Sequence, residues 1–308
     1  MNRRALYAVA IAVAVLVIGA ILTPGLASWP GLRAVLVVAS FTGFVAAGQM
    51  LVVLVGGIDL SIPWVLNAAA IVLTTTSLGL SQRLPLALAF AIGAGLVAGL
   101  VNGLGVAWLG VPAVVMTLGM NGVLQGLTLG LSQGLTCDTC GHYAPQPLRD
   151  LFAGTVPAAL LVWLGIALLV TVLLRLTVFG RRVYATGVNP RAAFLSGVGV
   201  KGVTVALYTL SGGCAALAGI MLVGYGGQAS LGLGDPYLFE SIAAVVVGGV
   251  SILGGRGDYF GVVAGSLTLV AVTTVLRAQQ VPEFGRLMIY GLVILAILFA
   301  YGRERAHD

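Results

Sequence analysis

Long apolar runs recur along the whole chain and alternate with short polar stretches. An α-helix needs about 20 apolar residues to cross a hydrocarbon core about 30 Å thick, and most of these runs approach or reach that length. The pattern therefore predicts an all-α, polytopic membrane protein with about ten transmembrane helices. The candidate spans are residues 5–23, 34–55, 62–80, 86–108, 112–132, 155–177, 203–226, 239–253, 259–276 and 286–302.

Two of these runs are weaker candidates than the others. The run 239–253 is short, and the run 62–80 is polar at both ends. Either run could form a half-helix or a re-entrant segment, so the pattern supports eight to ten spans. Because no stretch is polar enough for a soluble domain, residues 1–308 are expected to form a single transmembrane domain.

The two halves of the chain contain a similar break in an apolar run. Residues 53–59 read Val-Leu-Val-Gly-Gly-Ile-Asp, and residues 245–251 read Val-Val-Val-Gly-Gly-Val-Ser, which aligns Gly56 with Gly248. Gly interruptions at matching places in two halves can mark broken helices beside a transport path. In a chain with 45 glycines, the recurrence could also arise by chance.

The composition excludes a mainly soluble protein. The chain is 59% hydrophobic and 8% charged, whereas soluble domains carry roughly 25% charged residues. The net charge of +6 could suggest nucleic acid as a partner. The basic residues flank apolar spans, however, and this placement is typical of membrane topology, so no nucleic-acid partner is expected.

The basic residues also predict which side of the membrane each loop occupies. With both termini placed in the cytoplasm, ten of the fifteen Lys and Arg residues fall inside and five fall outside. An excess of positive charge inside is the usual arrangement. This orientation puts the loop 178–202 in the cytoplasm and the loop 133–154 in the periplasm.

The loop 178–202 carries the start and stop signals of a short helix. Asn189 suits the N-cap, Pro190 suits the first helical position, and Gly197 suits a left-handed residue after the helix. So short a helix is not stable alone in water. We therefore expect it to pack against the membrane domain and against a partner. The plainer alternative is an ordinary positive loop.

Four motifs occur in the order found in one family of transporters. They are Gly-Gly-Ile-Asp-Leu-Ser at 56–61, Met-Thr-Leu-Gly at 116–119, Phe-Gly-Arg-Arg-Val-Tyr-Ala-Thr-Gly-Val-Asn-Pro-Arg-Ala-Ala at 179–193 with Ser-Gly at 196–197, and Glu-Ser-Ile-Ala-Ala-Val-Val-Val-Gly-Gly at 240–249 with Gly-Gly-Arg-Gly at 254–257. Together they resemble the permease subunits of ribose-type ABC importers. One departure is Ile62-Pro63-Trp64, where many relatives have small residues.

The resemblance implies an ABC-importer permease fold in the bacterial inner membrane and a monosaccharide-like solute. The implied partners are ABC ATPase subunits, a periplasmic or extracellular sugar-binding protein, a second permease that is either another copy or a related chain, and membrane lipid. Nucleosides, branched-chain amino acids or a sugar-derived signal are alternative solutes. The resemblance assigns contact with the ATPase to the short helix and its flanks: Asn189, Pro190, Arg191, Ala192, Ala193, Phe194, Leu195, Ser196 and Gly197.

The energy source is expected to lie in another chain. A phosphate-binding P-loop requires a Lys followed by Ser or Thr, and the only lysine, Lys201, is followed by glycine. We therefore expect no cofactor in this chain, no covalent catalysis, and ATP and Mg²⁺ bound by the partner ATPase. An ion-coupled secondary transporter is the rival from another class. It is expected to carry charges near mid-span, whereas the charges here stand mostly at span ends.

Polar side chains within apolar runs are candidates for the translocation path. Neutral hydrogen-bonding groups would suit a sugar, although such groups also join helices to one another. Asp59 and Glu240 lie near the Gly-Gly breaks and could act in gating or subunit contact, or could simply cap helices. The candidates are Gln49, Asp59, Asn67, Asn102, Thr117, Asn121, Gln125 and Glu240.

Two features of the predicted outer face have open alternatives. Five arginines there could help to dock the binding protein or could be single interfacial anchors. They are Arg33, Arg83, Arg149, Arg277 and Arg286. Cys137 and Cys140 could form a disulfide in an oxidising compartment or remain thiols. With His142 they offer three metal ligands but no evident fourth, so no metal site is expected.

Overall fold

The computed structural model describes residues 3–132, 143–152, 157–282, 284–292 and 295, which are mainly helical. The helices are α1 (Arg3–Leu22), α2 (Trp29–Val53), α3 (Ile62–Ser77), α4 (Leu84–Ala107), α5 (Ala113–Leu131), α6 (Gln146–Asp150), α7 (Ala158–Leu176), α8 (Val178–Val188), α9 (Pro190–Leu195), α10 (Val200–Gly226), α11 (Tyr237–Val247) and α12 (Tyr259–Ala278). Residues 284–292 form a further helix, α13.

Seven helices among the described residues are long and apolar enough to cross a membrane, and the chain is a multi-pass membrane protein. These helices are α1, α2, α4, α5, α7, α10 and α12. The two weak candidate spans form α3 and α11, with 16 and 11 residues. At 1.5 Å per residue, α11 extends only about 16 Å, roughly half of a hydrocarbon core. The run 239–253 is therefore a short helix followed by a break.

The centre of the bundle is formed by α2 and α10. Nearly all of α2 from Val35 onward is buried, and α10 packs against α2, α3 and α4. Glycines let α4 and α10 approach closely: a Cβ at Gly95 would lie 2.5 Å from the Gly212 carbonyl oxygen, and one at Gly99 would lie 2.2 Å from that of Tyr208. Small residues at four-residue spacing commonly allow such contact between membrane helices.

The two Gly-Gly breaks have the same backbone turn. Gly56 follows α2 with φ +79°, and Gly249 follows α11 with φ +81°. In each turn the next residue donates to a carbonyl five positions earlier: the Gly57 N–H bonds to Val52 O at 3.1 Å, and the Val250 N–H bonds to Val245 O at 3.2 Å. This is the Schellman pattern of helix ends.

This turn corrects the alignment of the two breaks expected from the sequence. The left-handed position pairs Gly56 with Gly249, whereas the sequence comparison paired Gly56 with Gly248. Gly248 has an ordinary helical φ of −66°. The alignment was wrong by one residue because identical glycines in the sequence do not reveal which member takes the left-handed conformation.

Candidate functional site

The short helix in the loop 178–202 is built by local capping. The Asn189 side-chain oxygen accepts a hydrogen bond from Ala192 N at 3.1 Å, and Pro190 opens the helix. Gly197 has φ +81°, and the Val198 N–H closes the turn on Ala193 O at 3.0 Å. The helix therefore ends at Leu195, and Ser196 is its C-cap. The signals at Pro190 and Gly197 predict a helix over residues 190–196, which is one residue longer.

The outer side of α9 is apolar and uncovered in this chain. Phe194 is 69% exposed and Leu195 is 84% exposed, and Val188 just before the helix is 71% exposed. Arg191 and Ala192 are also exposed, and Ala193 is the buried residue of the helix. Phe194 thus does not pack inward against the spans.

Helix α8 and the end of α7 are held against the segment that follows the second break. The Tyr184 hydroxyl donates to Gly257 O at 2.8 Å, and Arg175 at the end of α7 forms an ion pair with Asp258. Burial raises the pKa of the Tyr184 phenol, and the nearby Asp258 carboxylate raises it further against the opposing effect of Arg175. The phenol therefore keeps the proton that it donates to Gly257.

Asp59 lies at the centre of a buried polar cluster after the first break. One carboxylate oxygen accepts from Ser61 N at 3.0 Å and from Ser61 Oγ at 2.6 Å, and the other accepts from Ser211 Oγ at 2.8 Å. Asn102 donates to Ser61 Oγ at 2.8 Å. Asp59 thus joins the break to α10, and through Ser61 to α4, rather than acting only as a helix cap.

Glu240 lies in the first turn of α11 and joins three other helices. Its carboxylate accepts from Thr42 Oγ1 of α2 at 3.2 Å and from the Tyr290 hydroxyl of α13 at 3.0 Å. Tyr290 also shares a hydrogen bond with Thr273 of α12. These side-chain partners make Glu240 a joint between helices rather than a helix cap.

The other polar candidates differ in burial and in hydrogen-bond partners. Gln49 is fully buried, and neither polar atom of its amide has a hydrogen-bond partner in the described structure. Asn67, with its amide turned to suit its neighbours, donates to Ser230 O at 2.8 Å and accepts from Gly232 N at 3.3 Å, so it anchors a loop. Thr117 donates to Ala113 O within α5 at 2.9 Å. Asn121 is half-buried and Gln125 is exposed on the same helix.

The five arginines of the predicted outer face differ in their surroundings. Arg33 is half-buried and donates to Phe152 O at 2.8 Å, which ties α2 to the segment after α6. Arg149 contacts Gln146 of α6. Arg83, Arg149 and Arg277 are exposed, and Arg286 is half-buried. The geometry favours an anchoring role for Arg33 and leaves the exposed three as the better docking candidates.

Three further residues of the predicted outer loop, Cys137, Cys140 and His142, lie outside the described residues. Within the part that the structure describes, no group of three His, Cys, Asp or Glu side chains is arranged to hold a metal ion.

Sequence reasoning missed four side chains that complete the buried clusters. They are Thr42, Ser211, Thr273 and Tyr290, and each hydrogen bonds to Asp59, Glu240 or a partner of Glu240. Each of them stands as a small hydroxyl or a phenol within an apolar run, which is the only signal that the sequence carries. Most other hydroxyls in the spans bond to their own helix, as Ser266 does to Val262 O at 2.9 Å.

Comparison with known proteins identifies the family. The family described as "Branched-chain amino acid transport system / permease component" matches residues 31–298. The autoinducer 2 import system permease protein LsrC of Salmonella typhimurium is 36% identical over 260 residues, covering 84% of this chain and 74% of that protein. The protein of the same name from Escherichia coli K12 is 36% identical over 263 residues, covering 84% of this chain and 75% of that protein. No solved structure matches the chain. The chain therefore belongs to the family of branched-chain amino acid transport system permease components.

Proposed function

We propose that this chain is the membrane-spanning permease subunit of an ATP-driven importer in the bacterial inner membrane. A binding protein delivers the solute from outside, and a partner ATPase binds ATP and Mg²⁺ inside. The permease works with a second copy or a related chain. Movement of the ATPase then switches the path between outward and inward access.

The observation that carries the ATPase contact is the uncovered apolar side of α9. Phe194 and Leu195 are 69% and 84% exposed on a helix that faces away from the spans. An aromatic side chain inserted in a partner's pocket commonly dominates an interface. Arg181 and Arg182 of α8 and Arg191 of α9 are exposed, and their charges would suit acidic groups at the rim of a partner groove.

The solute that we propose is a small sugar-like molecule. The relatives from Salmonella and Escherichia coli are permeases of autoinducer 2 import systems, and the four sequence motifs resemble ribose-type permeases. A nucleoside or a branched-chain amino acid is the alternative. Uptake into proteoliposomes carrying the complete transporter distinguishes these solutes when labelled autoinducer 2, ribose, uridine and leucine are compared.

The test of the ATPase contact is the substitution Phe194→Ala, with Leu176→Ala as the matched control. Leu176 is 75% exposed at the end of α7, so it loses a similar apolar side chain outside α9. We expect Phe194→Ala to weaken co-purification with the ATPase by at least tenfold in affinity, since loss of an interface anchor costs about 2 kcal/mol or more. The melting temperature of the purified permease should not change.

Two results would contradict the proposal. A large loss of thermal stability in Phe194→Ala with the ATPase still bound would assign Phe194 to the permease's own fold. Uptake driven by an ion gradient in vesicles without any ATPase would assign the chain to secondary transport.

A further inference from the structure

The backbones of three segments meet at one point beside α8. The segments are Leu54–Gly56 after α2, Gly187–Val188 at the end of α8, and Gly254–Gly255 after the second break, and we name this meeting point the glycine junction. The Gly255 N–H donates to Leu54 O at 2.8 Å, so the segments beside the two breaks are hydrogen bonded to each other.

Gly187 brings the end of α8 into this junction. A Cβ at position 187 would lie 1.9 Å from the Leu54 carbonyl oxygen and 2.4 Å from the Gly255 nitrogen. Neither atom is the end of a flexible side chain, so no side-chain rotation could make room. Any larger residue at position 187 must push α8 away from both breaks.

Gly254 closes the junction from the opposite side. It has φ +85°, and a Cβ there would lie 3.0 Å from Gly187 O, Gly56 N and Leu54 O. Its neighbour Gly255 has φ +70°, a conformation that suits glycine. Backbone contacts of this kind are stiff because close-packed atoms transmit displacement with little compression.

We propose that Gly187 is a positioning residue for transport, because it lets α8 press on both helix breaks at once and so passes a movement of α9 to both halves of the permease. This inference rests on the proposed function of α9 as the contact with the ATPase. Two side-chain contacts add to this junction: Tyr184 of α8 donates to Gly257, and Arg175 of α7 pairs with Asp258. Both contacts reach the segment after the second break.

The first experiment compares Gly187→Ala with Gly202→Ala in the complete transporter, reconstituted with its ATPase and binding protein. A Cβ at Gly202 meets no atom within 4 Å, so this control adds the same methyl group in open space. We expect Gly187→Ala to bind the ATPase normally and to hydrolyse ATP. The number of solute molecules moved per ATP should fall at least tenfold, and Gly202→Ala should leave this ratio unchanged.

The ratio separates coupling from folding, because loss of folded protein lowers uptake and ATP turnover together. An unchanged ratio in a folded Gly187→Ala transporter overturns the inference.

A second measurement keeps the inference testable if Gly187→Ala does not fold. Spin labels are placed at Arg182 on α8 and at Leu253 beside the junction, both of which are exposed, in a variant whose three cysteines are replaced by alanine. We expect the distance between these labels to stay the same with and without ATP in the complete transporter. The distance from Arg182 to a label at Arg83, before α4, should change.

The two ways of failing are distinct. A change between Arg182 and Leu253 on adding ATP overturns the junction as a rigid link, even if transport is ATP-driven. No change in either pair, together with no binding of the ATPase, overturns the proposed function and the inference with it.

Discussion

The two helix breaks share one backbone turn but are stabilised by different interactions. After the first break, the Asp59 carboxylate is buried and accepts from Ser61 and from Ser211 of α10. After the second break, Asp258 caps α12 by accepting from Phe260 N at 3.2 Å and forms an ion pair with Arg175, whose side chain is 42% exposed. The first break is tied to the centre of the bundle, and the second to a partly exposed ion pair in which the Asp258 side chain is 10% exposed.

The glycine of each pair that is not left-handed, Gly57 or Gly248, also has a different reason to be glycine. A Cβ at Gly57 would lie 2.5 Å from the Tyr208 hydroxyl, which is the end of a side chain. A Cβ at Gly248 would lie 2.7 Å from the backbone of Gly261 and Val262 in α12. A repeated turn can thus keep its geometry while the forces around it change from buried hydrogen bonds to backbone packing and a partly exposed ion pair.

The largest expected effect is at the buried carboxylate. Asp59→Ala leaves the hydroxyls of Ser61 and Ser211 without their acceptor in the core, and each buried group without a partner costs about 1–3 kcal/mol. We expect a loss of about 3 kcal/mol in the free energy of unfolding, measured by denaturation in detergent. Asp150→Ala, at an exposed residue of α6, is the control and should be nearly neutral. Equal stability of the two variants would remove the distinction between the breaks.

The next effect tests backbone packing at the second break. Gly248→Ala forces α11 away from α12, and overpacking of this kind typically costs about 1–3 kcal/mol. We expect about 2 kcal/mol from the same denaturation measurement. Gly165→Ala on α7 is the control, because a Cβ there meets nothing within 4 Å and alanine favours a helix. If both substitutions were neutral, the contact between α11 and α12 would be looser than the structure indicates.

A smaller effect tests the first break by a double substitution. Gly57→Ala collides with the Tyr208 hydroxyl, which has no hydrogen-bond partner in the described structure. We expect Gly57→Ala to cost about 1 kcal/mol and Tyr208→Phe to restore most of it, since removing an unpartnered buried hydroxyl is close to neutral. A double-mutant cycle of melting curves measures the coupling between the two sites. Strict additivity would show that the hydroxyl is not the obstacle.

The smallest effect is expected at the surface pair. Asp258→Asn removes the charge that faces Arg175 but keeps a good N-cap for α12. Partly exposed ion pairs contribute about 0–1 kcal/mol and are screened by salt. We expect a loss of about 0.5 kcal/mol that shrinks as salt is added, in contrast to Asp258→Ala, which also removes the cap. A salt-independent loss as large as that of Asp59→Ala would place this pair in the core.

Much of the fold could be predicted from the sequence, because apolar length and helix signals are local properties. Run length gave the membrane class and the shortness of the segment 239–253. Asn189, Pro190 and Gly197 predicted the cap, start and end of α9 to within one residue. The exposure of Phe194 could not be predicted in this way, because a six-residue helix has no periodic face long enough to define which side is covered.

The buried clusters could be predicted only in part. Asp59, Asn102 and Glu240 were candidates because polar groups are costly in apolar spans, but Ser211, Thr42 and Tyr290 gave no stronger signal than other hydroxyls. Asp59 and Ser211 lie 152 positions apart along the chain. Their meeting depends on the rotation and depth of α10, which no local pattern encodes.

The sequence by itself determined that this is a helical membrane protein with a short capped helix between two spans, and its four motifs indicated the permease family. These features depend on residues that are neighbours along the chain. Only the tertiary structure decided that Gly249 rather than Gly248 matches Gly56, that each buried carboxylate joins different helices, and that Gly187 lies against the segments beside both breaks. These contacts are decided by how closely helices approach and how they are rotated, and both follow from packing over the whole bundle.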